Sequence, residues 1–226
     1  MQSILGNGIY SLPEAARLLG VNSQRVAAWF QGWPGRRDRV FRSDYSGLGL
    51  HSARVISFLD LIDAAVCVTL RIKHRVSLHT IRRVYDRLSQ QWVTRHPFAR
   101  EEFYTDEAGR QVFYAVAAED NERQLIEALD QQHVIPEILL PILRRVEYCG
   151  ETKLAQVLQL MGRVVADPRR RFGKPIVRDT GMPTSILYRC YTATGSFEQV
   201  ADWYCVTPAD VSEAVAFETE FSGIAA

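Results

Sequence analysis

The chain has 226 residues, 47% hydrophobic and 23% charged, with a formal net charge of +1. That is the composition of an ordinary soluble protein, long enough to bury a real core in one or two domains. The near-zero charge argues against a polyanion partner until it is counted by segment. Residues 1–100 carry 15 Lys and Arg against 6 Asp and Glu, whereas residues 101–226 carry 12 against 20. The basic part is almost all Arg, with Lys73 the exception, and Arg makes the planar, bidentate phosphate and guanine contacts that Lys cannot. No apolar run approaches the ~20 residues of a membrane span, because Asp60 and Asp63 interrupt the best candidate, Val55 to Leu70. The first residues lack a basic stretch followed by an apolar one, so no secretory signal is expected. Cys67, Cys149, Cys190 and Cys205 have no close pairing, which fits reduced thiols in a cytoplasm.

In chain order, the first predicted element is a helix opened by Ser11, with Pro13 in its first turn, Glu14 in capping-box position and Gly20 at its end. Asn22 and Ser23 can cap a second helix, Gln24 to Gln31, and the two make a helix-turn-helix layout. Gln31 to Ser52 reads as a loop carrying Arg36, Arg37, Arg39 and Arg42, with Val40 and Phe41 in a short strand, as suits a β-hairpin wing. Helical periodicity returns over 57–73 and again over 78–91. Phe103-Tyr104, a turn, and Val112 to Tyr114 read as a β-hairpin. A short helix at 125–129 and an apolar segment at 138–146, helix or strand, follow. Residues 167–184 are turns and short strands; helices are expected at 186–193, 197–204 and 209–217. The fold class is mainly α: a winged helix-turn-helix domain (1–92), a connector with a β-hairpin (93–163) and a small helical C-terminal domain (164–226).

The N-terminal end of the second helix is where a reader of this type meets base edges. Ser23, Gln24 and Arg25 stand there, and Ala28 is expected to face outward one turn on, with Val26, Ala27 and Phe30 toward the core. Gln pairs bidentately with adenine and Arg with guanine, each contributing ~1–3 kcal/mol of discrimination. Arg36, Arg37, Arg39 and Arg42 are the wing's phosphate contacts. Asp60 and Asp63, three apart, are read as exposed helix charges, since no His or Cys nearby in sequence completes a ligand set. Cys67 lies in the apolar stripe and is expected to be buried and inert. The five His are scattered, and no phosphate loop, nucleophile elbow or CxxC pair occurs; no catalytic residue, metal or cofactor is expected.

Two stretches carry a resemblance. YSLPEAARLLGVNSQRVAAWF, ISFLDLIDAAVCVTLR and VSLHTIRRVYDRL, within residues 9–92, resemble a MerR-type winged helix-turn-helix. Residues 164–217, VVADPRRRFGKPIVRDTGMPTSILYRCYTATGSFEQVADWYCVTPADVSEAVAFE, are similar to the small domain DUF433. This order of domains resembles antitoxins of the VapBC type. The resemblance implies a homodimer that represses its own operon through operator DNA and covers a PIN-like ribonuclease toxin, with no chemistry of its own. The toxin surface it implies lies on the helices around 196–217, at Glu198, Asp202, Tyr204, Asp210, Glu213 and Phe217. A MerR-like regulator with a small effector and no toxin, or a small enzyme on a DNA tether, are the other classes left open.

Overall fold

The computed structural model describes residues 6–32, 39–47, 54–105, 107–120 and 144–222. The expectations at Arg36, Arg37, 125–129 and 138–143 lie outside those residues. Strand β1 (Tyr10–Ser11) runs into α1 (Leu12–Leu19), and a three-residue turn leads to α2 (Ser23–Gln31). β1 pairs antiparallel with β2 (Val55–Ile56), Tyr10 opposite Ile56, so the chain returns beside its start before α3 (Phe58–Val68). α3 loosens into a π-type turn, Thr69–Lys73, ahead of α4 (Leu78–Gln91). Ser57 and Ser77 cap α3 and α4 by accepting from the Asp60 and Thr80 amides at 3.1 and 3.0 Å, each worth about 1 kcal/mol. Val40 and Phe41, expected in a strand, join no ladder. Both amides donate instead to the Trp29 carbonyl, at 2.8 and 3.0 Å, which folds this segment under α2.

A series of aromatic rings ties these helices together. Phe30, Phe41, Tyr85, Phe98 and Phe103 follow one another with centroids 5.4, 5.0, 5.2 and 4.7 Å apart. All five are buried, so Phe98 and Phe103 serve as core. Cys67 is fully buried, and burial holds its thiol far above the ordinary range.

The β-hairpin expected from Phe103 to Tyr114 is corrected by the structure. The segment forms two helices, α5 (Glu102–Thr105) and α6 (Glu107–Glu119). The β-branched and aromatic run Val112, Phe113 and Tyr114 imitates a strand. The spacing that wins is helical: Val112 packs on the core and Val116, four residues on, is buried beside Ala117. α6 is fastened to α4 by Arg83, which pairs with both Glu119 and Asp120, and by Arg87, which reaches Glu119 at 2.8 Å.

A four-stranded antiparallel sheet follows in the order β3 (Val146–Tyr148), β4 (Ala155–Met161), β5 (Val164–Ala166) and β6 (Ile176–Val177). Its register (Val146 opposite Leu158, Leu158 opposite Ala166, Val165 opposite Ile176) crosses position 163, where connector and C-terminal domain were divided. Helices α7 (Thr184–Thr194), α8 (Phe197–Tyr204) and α9 (Pro208–Ser222) pack on one another around Leu187, Val200, Val211 and Ala214. Phe217, further along α9, lies in the same apolar cluster as Tyr10, Leu12 and Phe58. The two ends of the chain therefore share one core. Among the described residues no helix is long and apolar enough to cross a membrane.

Candidate nucleic-acid interface

The first two helices are set by local chemistry. The Ser11 amide donates to the Glu14 carboxylate at 2.9 Å and the Glu14 amide to the Ser11 hydroxyl at 3.3 Å, closing a capping box. Gly20 takes the left-handed conformation (φ 66°) that lets its amide bond back to α1. The Asn22 carboxamide accepts from the Gln24 amide at 2.8 Å and so starts α2. Ser23, Gln24 and Arg25 stand exposed at that start, as expected.

Ala28 does not face outward. It is 6% exposed, because Val26, Trp29 and Phe30 turn that side of α2 into the core. Ala27, expected inward, is half-buried: it packs against the core cluster and also lines an outer groove of about 330 Å³ with Ser23, Gln24, Gln31, Arg54 and the Ser11–Pro13 end of α1. Along that groove the exposed Gln24 and Gln31 flank Ala27, at spacings of three and four. The other flank of α2 is more cationic. Arg25 and Trp29 line a cavity of about 490 Å³ with Arg71, Ile72, Arg75 and Leu78. Arg71 comes from the π-type turn and is held by a 3.1 Å bond to the Val76 carbonyl; Arg75 stands on a left-handed residue (φ 55°). Among the described residues, no carboxylate lines either groove. Sequence reading missed Arg54, Arg71 and Arg75 because nothing local says that their segments return beside α2. Of the arginines expected in a wing, Arg39 and Arg42 are exposed, and Arg42 reaches Ser46 at 3.3 Å.

The segment carrying Arg39 and Arg42 is anchored by a buried charge cluster. Asp60 and Asp63, expected as exposed, are 1% and 0% exposed; they point from α3 at His96 and at the Asp44 backbone. His96 Nδ1 lies 2.8 Å from Asp63, and its Nε2 lies 3.0 Å from Asp44. Asp44 also accepts from Ser57 at 2.8 Å, and its amide donates to Asp60 at 3.0 Å. The Tyr85 hydroxyl donates to Asp63 at 3.0 Å. Burial alone would strip the charge from His96, but its bonds to Asp44 and Asp63 outweigh it and raise the imidazole to about 10. Burial lifts Asp63 to about 6 despite the histidine. One ligand atom each from Asp44, Asp60 and His96 lies within 4.8 Å of the others, a metal-like grouping, yet a proton on each ring nitrogen already accounts for the short contacts. Sequence spacing could not reveal it, since Asp44 and His96 lie far along the chain from α3.

The expected partner face is only partly a surface. Glu198 and Asp202 are exposed, and Tyr204 is half-buried with its hydroxyl 3.2 Å from Cys190 Sγ. Asp210 and Phe217 are interior, at 2% and 0% exposure. Asp210 caps α9 by accepting from the Thr207 amide at 3.0 Å and takes a 2.9 Å bond from Arg163. Glu213, half-buried, accepts from the Arg163 amide. Trp203, 57% exposed beside Asp202, is the surface residue that sequence reading overlooked.

Residues 164–217 match the family DUF433, described as a protein of unknown function. The chain is 27% identical over 227 residues, 92% of each chain, to a Mycobacterium tuberculosis H37Rv protein named "Putative antitoxin VapB45". It is also similar to the crystal structure of Rv2018 from Mycobacterium tuberculosis, with 26% identity, a TM-score of 0.72, and coverage of 91% of this chain and 96% of that one. The protein is thus a mainly helical chain whose residues 164–217 match the DUF433 model and which is similar, along nearly its whole length, to an antitoxin-named relative.

Proposed function

We propose that this protein is the antitoxin of a toxin–antitoxin pair, which represses its operon by binding operator DNA as a homodimer and neutralises a PIN-like ribonuclease. The antitoxin role rests on the end-to-end similarity to the antitoxin-named relative, which spans both the N-terminal helices and the DUF433 segment. The DNA role is carried by one observation: α2 projects Ser23, Gln24 and Arg25 between two grooves that hold Arg25, Arg54, Arg71 and Arg75 and, among the described residues, no carboxylate. A duplex neutralises such a surface and releases counterions in proportion to the phosphates contacted. Gln24 and Arg25 supply base-edge chemistry; Arg71 and Arg75 supply phosphate chemistry. Toxin contact is assigned to the exposed α8 residues Glu198, Asp202 and Trp203. Their acid and indole suit a cationic, RNA-binding partner face. Neutralisation is by cover, with no catalysis.

Gel shift on the DNA upstream of the gene tests the DNA role. Arg25→Ala should relax base preference, costing ~1–3 kcal/mol at one position. Arg71→Ala and Arg75→Ala should weaken binding evenly and flatten the log–log salt slope by about 0.9 each. Unchanged binding in all three removes the DNA assignment. Co-expression with an adjacent PIN-like reading frame tests the other half: the partner should copurify and lose ribonuclease activity.

A further inference from the structure

The run Arg169-Arg170-Arg171 has no place in the interface so far. Arg169 is neutralised by Asp167 at 3.0 Å. Arg170 donates to the Arg178 carbonyl at 2.6 Å, a bond that leaves its charge uncompensated. The Arg171 guanidinium has no hydrogen-bond or ion-pair partner among the described residues, and Phe172 beside it is 52% exposed. Both stand in the left-handed region, at φ 49° and 56°, with Gly173 at 80°. Two consecutive non-glycine residues there are strained, and such strain persists only where the surroundings over-determine it.

The surroundings do so, and they belong to the reading unit. The Ile9 amide donates to the Phe172 carbonyl at 3.0 Å, the Tyr10 hydroxyl to the Gly173 carbonyl at 2.8 Å, and Lys174 pairs with Glu14 in the first turn of α1. That same turn, through Ser11, Leu12 and Pro13, lines the groove along Gln24, Ala27 and Gln31. The left-handed turn is therefore braced against the element that borders the exposed face of α2. Its core is tied down while a free guanidinium and an aromatic ring are held out.

We propose that Arg171 and Phe172 form a second DNA contact, contributed by the DUF433 segment, that grips the duplex flanking the site read by α2. Arg171 binds a backbone phosphate, and the Phe172 ring lies against sugar or enters the minor groove. This rests on the DNA reading above and extends it: one duplex bridges the basic N-terminal unit and the otherwise acidic C-terminal part.

The test compares two duplexes from the upstream region, one trimmed to the α2 site and one longer by about one helical turn, roughly 10 base pairs. Arg171→Ala should lower affinity for the long duplex several-fold and reduce its salt slope by about 0.9, with base preference unchanged and the short duplex unaffected. Phe172→Gly should raise the melting temperature by relieving the left-handed strain, yet weaken binding to the long duplex. Wild-type affinity of both variants for the long duplex overturns the proposal; if Arg25→Ala still weakens binding, the α2 reading survives it. Loss of copurification with the partner protein, with DNA binding intact, assigns the turn to a protein contact and likewise overturns it. Failure of the wild type to bind either duplex overturns both readings.

Discussion

The helix pairs α1–α2 and α8–α9 are begun by the same chemistry and use their polar residues in opposite ways. Ser11 and Asn22 cap the first pair; Ser196 and the Thr207–Asp210 exchange cap the second. On α2 the polar residues after the cap are exposed and, among the described residues, no carboxylate lines the grooves beside them. On α9 three of the four carboxylates bind within the fold: Asp210 takes the Arg163 guanidinium, Glu213 the Arg163 backbone amide, and Glu218 takes Arg17 at 3.1 Å and the Thr184 hydroxyl at 2.5 Å, while Glu220 is exposed. Part of the acidic charge of the C-terminal part is therefore used in holding the fold. Among the described residues, the exposed side chains there include the α8 strip and, against the local sign, the Arg171 turn. Net charge by segment locates a basic face well only where the counter-charges are absent.

The largest expected effect sharpens this contrast between charges kept and charges offered. His96→Ala strands Asp60 and Asp63 in the interior and leaves Asp44, among the described residues, only its ion pair with Arg95, and should cost ~3–5 kcal/mol, measured by urea unfolding. The fold favours the imidazolium, so its contribution is complete below the free histidine value of about 6.5 and is lost as pH rises through about 10. Wild-type melting temperature should fall across that alkaline window, and His96→Ala should lack the transition. Next, Ala28→Arg should destabilise by ~1–3 kcal/mol through overpacking, while Ala27→Arg should leave stability within about 0.5 kcal/mol and change DNA affinity; equal behaviour would break the assigned α2 register. Glu218→Ala, which removes both the Arg17 and Thr184 bonds, should cost ~1.5–3 kcal/mol in chemical denaturation and leave base preference unchanged. Smallest in stability are Glu198→Lys and Asp202→Lys on α8, expected within about 0.5 kcal/mol, with loss of partner capture as their readout.

Local signals carried much of this architecture. Ser11, Gly20, Asn22 and Ser196 each terminate or start a helix through bonds within four residues, and such bonds are written in short stretches of sequence. The buried side of α2 was legible in Val26 and Phe30, which are 0% and 5% exposed, but not at Ala28, because Ala27 and Ala28 are chemically alike and only the neighbours decide how far each is buried. Asp60 and Asp63 look like ordinary helix charges until Asp44 and His96 arrive from other segments. α6 was hidden by the short apolar run Val112–Tyr114, whose length does not tell a buried strand from a helix segment. The cationic flank of α2 was half visible: Arg25 sits in the motif, whereas Arg71 and Arg75 reach it only through the π-type turn.

The shared core also sets an order in time. Tyr10 donates to Gly173 and packs in the cluster that contains Phe217. During synthesis α1 and α2 emerge first, but their apolar floor stays open until α9 has left the ribosome. The packing of the N-terminal helices is thus completed only when α9 is in place, and a chain stopped before α9 would leave Tyr10, Leu12 and Phe58 without Phe217.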